Sequence, residues 1–294
     1  MRQNVVLWIV SLLITTGTAY YQRVTGPTYP LEGKAVVDGK PIAYRFERSQ
    51  SGGEKARVCL SVPGHDVEGV LIWRLFRSGD PWTSVPMMRH GDTLSACLPP
   101  QLAAVKLEYV VRLTSLHEDA VLPAGPPVII RFKGEVPLGI LVAHVIAMFG
   151  AMLCSTRAGL EIFRRERRYF SLTLWTVGFL VVGGLILGPI VQRYAFGAYW
   201  TGWPVGTDLT DNKTLIALIA WAGAVVALKT VPRPGMWVTL AALILIGVFL
   251  IPHSLRGSEL RPEKSGTGSG IVVSDTTTTD QEDSAGGDEL PAFY

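Results

Sequence analysis

The stretch GPIVQRYAFGAYWTGWPVGTDLTDNKT (188–214) joins two apolar runs and is too aromatic for a plain connector. It carries Tyr194, Phe196, Tyr199, Trp200 and Trp203, then a polar group of Asp208, Asp211, Asn212 and Lys213. Trp and Tyr, apolar in the ring and polar at the tip, gather where a bilayer meets water. The segment therefore reads as an interface-hugging or re-entrant loop on the outer face of a membrane bundle. The bulk numbers agree. The 294 residues are 48% hydrophobic and 17% charged, more apolar than an ordinary soluble domain. The net charge of +3 hides a segregation: arginines crowd 157–168, whereas the chain beyond Gly257 is acidic and rich in Ser, Thr and Gly. A uniformly basic chain would suggest nucleic acid; this pattern suggests membrane orientation instead.

On either side of that loop the apolar runs 137–155, 170–191, 215–228 and 237–251 read as a four-helix transmembrane bundle within 136–256. The segment RAGLEIFRRERRYF (157–170), with Arg157, Arg164, Arg165, Arg167 and Arg168, and the turn from Lys229 to Arg233 are basic. Both belong on the cytoplasmic side. Gly184 and Gly188, four apart, form a close-packing face. Residues 1–22 read as a signal-anchor, with a cleaved signal peptide as the alternative, followed by a linker at 23–32. As an extended chain, the linker stretch 21–31 spans roughly 35 Å, enough to climb the height of a β domain.

Between linker and bundle, 33–134 alternates in short runs separated by turns, the pattern of an extracytoplasmic β-sandwich of immunoglobulin or fibronectin type. Seven strands are expected, at 34–38, 42–46, 57–62, 70–76, 93–98, 107–113 and 128–132. Trp73 follows Cys59 by fourteen positions, the spacing of an immunoglobulin core pair, and Tyr109 is placed as a tyrosine-corner residue. Cys59 and Cys97 lie in the exported part, so one disulfide is open to them. Cys154 falls in an apolar helix. The loops at 63–69 and 115–126 meet at the end far from the bilayer and bring His65, Asp66, Glu68, His117, Glu118 and Asp119 together. Within that group His65, Asp66, His117 and Asp119 are the candidate metal ligands; the alternative is that polar residues simply populate loops. Residues 257–294 form a disordered acidic tail on the outer side.

Chemistry-bearing residues are few. His144 lies inside the first bundle helix, where an ionisable side chain is a functional candidate, and His253 ends the last helix. Two such histidines suit the axial positions of haem b, and Arg193 and Arg256 suit its propionates. A quinol headgroup is the related option at Asp208 and Asp211. No CxxCH occurs, which excludes covalent c-type haem attachment. Neither GxxxxGK[ST], GxSxG, HExxH nor DxDxDG occurs.

Tyr199-Trp200-Thr-Gly-Trp203, followed by Asp208 and an apolar helix with Trp221, resembles the tryptophan-rich outer loop of cytochrome c-type haem-handling membrane proteins. The resemblance implies an outward-facing loop and haem handling. The layout of anchor, exported β domain and small bundle is also similar to that of bacterial envelope membrane proteins, which implies the inner (cytoplasmic) membrane. The expectation is thus an accessory or scaffold protein, bound to lipid and to other envelope proteins but not to nucleic acid. A haem b or quinol redox component is the alternative.

Overall fold

The computed structural model describes residues 2–164 and 169–252. Arg165, Arg167, Arg168, His253, Arg256 and the acidic tail lie outside the described residues.

Apolar helices account for most of the chain outside the β region. α1 spans Arg2–Thr25 and α2 Leu138–Gly159, the latter extended by a 3₁₀ turn to Phe163. α3 (Tyr169–Leu180) runs through a π turn (Val181–Leu187) into α4 (Gly188–Phe196), and α5 (Leu209–Thr230) and α6 (Gly235–Leu250) follow. Four of these rods are long and apolar enough to cross a membrane: α1, α2 with its 3₁₀ turn, α3 through α4, and α5. α6 is apolar but shorter.

Burial in these helices is inverted relative to a soluble protein. On α1, Ser11 is 0% exposed while Leu13 is 67% exposed. On α3, Thr173 and Thr176 are buried, and Phe170, Leu174 and Trp175 are exposed. α5 buries Ala217, Ala224 and Ala227 and exposes Ile216 and Ile219. Small residues let backbones approach, and large aliphatic ones face the lipid, because lipid offers no hydrophobic gain for turning them inward. Some hydroxyls inside the bundle return to their own helix, as Ser11 Oγ does to Leu7 O at 2.8 Å and Thr176 Oγ1 to Leu172 O at 2.8 Å. The chain is a membrane protein on this evidence.

α1 belongs to the bundle rather than standing apart from it. It packs on α2 and α6. At one end Gln3 Nε2 donates to Phe163 O (3.1 Å), and Arg157 Nη2 donates to Asn4 Oδ1 (2.7 Å). At the other end Gln22 Nε2 donates to Ile251 O (3.2 Å). Arg157, from the basic segment expected on the cytoplasmic side, is buried and paired with buried Glu161 at 2.7 Å, with Arg164 on the same carboxylate at 3.0 Å. The extended linker is also corrected. The helix continues through Tyr20 and Tyr21 to Thr25, and only 26–30 separate it from the first strand.

The β region has eleven strands in three sheets among the described residues. β1 (Leu31–Val37) pairs with β2 (Lys40–Phe46). β4 (Ala56–Ser61), β8 (Thr93–Leu98) and β7 (Met88–His90) form a second sheet in that order. The third is centred on β9 (Lys106–Thr114), whose near-continuous burial marks a central strand. β5 (Glu68–Leu75) pairs along its whole length on one side, with β6 (Thr83–Pro86) beyond. On the other side β10 (Asp119–Leu122) takes the upper half and β11 (Val128–Lys133) the lower, with β3 (Ser49–Ser51) parallel to β11. One core, including Phe46, Leu60, Leu71, Leu94, Tyr109 and Phe132, is shared by all three sheets.

All seven expected strands are present. The four additional ones, β3, β6, β7 and β10, have three or four residues each, too few to show alternation. Cys59 and Trp73 are not a core pair: Ala56, Val58 and Leu60 take the inward positions of β4, which turns Cys59 outward. Nor is Tyr109 a tyrosine corner. Its hydroxyl reaches Glu47 O, far upstream in sequence, at 3.1 Å and ties β9 to the segment after β2.

Burial, reinforced by the Glu47 carboxylate and opposed by Arg48, pushes the Tyr109 hydroxyl well above its ordinary range. The unfolded chain therefore loses this proton first as pH rises past about 10, and the stability carried by the neutral hydroxyl is lost above that point. Denaturant unfolding should show a fall in stability above about pH 10 that is smaller in Tyr109→Phe. That variant should also be about 1 kcal/mol less stable at neutral pH.

Candidate functional site

Of the expected loop 188–214, the first third is helix. Pro189 lacks the N–H that a continuing ladder would use, and the π turn directly before it absorbs the lost bond. α4 carries on to Phe196 and stops at Gly197, whose φ of 87° reverses the chain. The connector proper is 197–208.

Its fold is dictated by one carboxylate. Asp211, 6% exposed in the first turn of α5, accepts at Oδ2 from Thr201 N (2.7 Å), Gly202 N (3.0 Å), Thr201 Oγ1 (3.3 Å) and Gln192 Nε2 (3.2 Å). Gln192 Nε2 also donates to Thr201 Oγ1 at 2.7 Å. Two successive N–H groups converging on an anion form a backbone nest, filled here by the protein's own side chain. Gly202 permits the approach: a Cβ there would lie 2.5 Å from Asp211 Cβ. Asn212 Oδ1 accepts from Trp203 N at 2.7 Å, and Trp200 Nε1 donates to Trp203 O at 3.1 Å. Lys213, 3% exposed, donates to Ile251 O (2.7 Å) and Pro252 O (3.4 Å), capping the carbonyl end of α6. Asp208 is the N-cap of α5 and accepts from Thr210 N at 2.6 Å.

The polar and aromatic residues singled out in the sequence are thus brought together, but as a hydrogen-bonded clamp. Tyr199 and Trp203 are exposed, and Arg193 lies over the Tyr199 ring at 5.7 Å while donating to Gly197 O. Ile190, Arg193, Tyr194 and Tyr199 line an open cleft beside it. Sequence reasoning missed Gly134. Its N–H donates to Ala195 O at 2.9 Å, and a Cβ on it would collide with the Tyr194 carbonyl. Next to it the Arg131 guanidinium lies 5.2 Å from the Phe196 ring centre, so the base of the β region is seated on the end of α4.

His144 is set apart from this clamp, against the π turn. Its Nδ1 lies 2.9 Å from Gly183 O, which also accepts the π-type bond from Gly188 N. A carbonyl only accepts, so Nδ1 carries the proton and Nε2 keeps a lone pair. Close packing at this level comes from Gly183 and Gly184, whose added Cβ atoms would meet Ala147 and Met148 at 2.9 Å and Thr214 at 2.6 Å. Gly188 contributes less, with its own Gly183 O nearest at 3.3 Å. His253 and Arg256, the other members of the expected haem set, lie outside the described residues.

In the β region His65, Asp66, His117 and Asp119 are exposed, and Glu118 Oε2 accepts from Asp38 N at 3.1 Å. Among the described residues no three His, Cys, Asp or Glu side chains are grouped to hold a metal ion, so the loop metal site is not formed. Loops carry polar residues because they face water, and these side chains do so individually. Cys59 and Cys97 are free and exposed. The register sets Cys59 against Ser95 and Cys97 against Arg57, so the two thiols are diagonal rather than opposite.

Asp211→Ala would orphan two backbone N–H groups, at a cost of about 3 kcal/mol or more. Asp208→Ala would remove one cap, at a cost of about 1 kcal/mol. Thermal unfolding in detergent should rank them in that order, with proteolytic nicking at 197–208 appearing in the Asp211 variant first. No protein-family model, curated protein or solved structure matches this chain.

Proposed function

We propose that this chain is an accessory or scaffold protein of the bacterial cell envelope, held in the inner membrane by α1 and the bundle. Its β region, of immunoglobulin or fibronectin type, stands outside the cytoplasm to bind a partner, and the bundle docks laterally to other membrane subunits. The observation that carries this reading is the seat at Gly134 and Ala195. A β region bonded to the end of α4, itself clamped to α5 and α6, is presented at a set height and angle, as a subunit-organising surface requires. Orientation is supported by charge. Arg2, Arg164, Lys229 and Arg233 lie at the end remote from the β region, and basic residues favour the cytoplasmic face.

Two measurements test it. Leu116, 85% exposed at the far tip of the β region, should as Leu116→Cys in a cysteine-free background react with a membrane-impermeant maleimide on intact cells. Arg233→Cys should react only after lysis, and the reverse pattern overturns the topology. Extracted in mild detergent, the protein should carry a stoichiometric membrane partner that Gly134→Val releases. A lone chain from native membranes would sink the scaffold reading.

His144 favours a second reading, a haem b or quinol site, because the Gly183 bond leaves Nε2 as a free ligand or acceptor. A Soret band lost in His144→Ala would establish it, and a colourless, quinone-free preparation removes it.

A further inference from the structure

Strand alternation gives the three-stranded sheet of β4, β8 and β7 an outer face of unusual composition. Arg57, Cys59 and Ser61 point outward from β4, Thr93, Ser95 and Cys97 occupy the same face of β8, and Met88 and His90 that of β7. The register aligns them in rows. Ser95 is opposite Cys59 on one side and Met88 on the other, and Cys97 is one row further along the middle strand. Three sulfurs therefore surround Ser95, a small side chain. Cys59 and Cys97 are exposed free thiols, and Met88 is 68% exposed although large and apolar.

We infer that this face is a soft-metal site in which Cys59, Cys97 and Met88 hold one cuprous ion above Ser95. Spacing separates this from a disulfide. Diagonal positions on neighbouring strands lie about 7–8 Å apart at Cα, with Cβ atoms closer. A disulfide asks for about 4.4–6.8 Å at Cα and a covalent S–S bond. Two sulfurs sharing one metal at about 2.3 Å each need only come within about 4 Å of one another, which the diagonal allows without moving the backbone. Met88 reaches the same point from the third strand on a longer, flexible side chain.

Chemistry selects the ion. Thiolate and thioether are soft donors and favour Cu(I) over hard cations, and no carboxylate lies on this face to attract calcium or magnesium. Ser95 leaves room at the centre where a larger side chain would fill it. On binding, two S–H bonds break and two protons pass to solvent; two thiolate–copper bonds form and the thioether adds a third without change of oxidation state. The bis-thiolate complex is left with one negative charge. Arg57, directly across from Cys97, lies beside it.

The test uses the full chain in detergent, reduced and anaerobic, titrated with Cu(I) against a chromogenic cuprous chelator. One Cu(I) per chain is expected. Outer partners of metal ligands are already worth about 10–100-fold, so Cys59→Ser or Cys97→Ser should each weaken binding by at least roughly a hundredfold. Met88→Leu should weaken it by about tenfold, whereas Cys154→Ser, in α2, should leave it unchanged. The Cys59, Cys97 and Met88 variants should unfold like the parent without copper, since these side chains lie outside the β core. Failure to take copper from the chelator, or binding that survives the double Cys→Ser change, overturns the site. So does a product lighter by two hydrogens with Cys59 bonded to Cys97 in thiol buffer. None of these outcomes depends on which side of the membrane the β region occupies, which the labelling experiment reads separately.

Discussion

A carboxylate buried at the end of a membrane bundle must be given donors, and Asp211 takes them from the connector itself. That requirement organises everything at this end. Successive residues on a helix point about 100° apart. Asp211, Asn212 and Lys213, consecutive near the start of α5, therefore reach three different neighbours: the Thr201–Gly202 backbone, the Trp203 backbone and the last carbonyls of α6. Gln192 brings α4 into the same set. A single helical turn thus fixes a loop and two helix ends, and through Ala195 and Gly134 it also fixes the base of the β region.

The opposite end is closed by a different device. Arg157 and Glu161 are one helical turn apart and both buried, with Asn4 of α1 sharing the guanidinium. Such a pair adds little net stability, because desolvation offsets most of the attraction, but either partner alone would be costly. Its consequence is positional. The Asn4 contact and the Trp8 ring 5.5 Å from the guanidinium place the start of α1 beside the end of α2. A helix that contributes Ser11, Thr15 and Thr18 to the interior is part of the bundle's packing and more than a tether.

How much of this was legible follows from the type of signal. Alternation over five or more residues marked the seven longer strands correctly, and apolar length marked the helices. The α4 extension was misread because Tyr194 and Phe196 look like interface residues and Pro189 looks like a breaker. The informative residue was Gly197, where a left-handed φ ends the helix. The outer cluster was found from composition, but its role was not. Asp211 was read as a group for a quinol headgroup, whereas its partners include backbone N–H groups that carry no sequence signature. Gly134 was invisible for the same reason, since its importance is a close approach to a carbonyl remote in sequence. The pairing of Arg157 with Glu161, by contrast, stood in plain view as an i,i+4 spacing on an apolar helix.

His144 is a polar side chain within the spans whose hydrogen-bond partner lies on another helix. A hydroxyl can return to its own helix, as Ser11 and Thr176 do, but an imidazole is too long and rigid for that and must find a carbonyl on a neighbour. An α-helical ladder offers few, since each carbonyl already accepts from the residue four ahead. The π turn changes the count: it widens the ring at Val181–Leu187 and leaves Gly183 O accepting from Gly188 N and His144 Nδ1 together. With glycine at 183 and 184, nothing shields that carbonyl, and the neighbouring helices come close enough to reach it. The π turn, the paired glycines and the histidine are therefore a single arrangement. Losing Gly183 would push α2 away and strand the imidazole in the bilayer, while losing the histidine would leave a widened turn with an underused carbonyl.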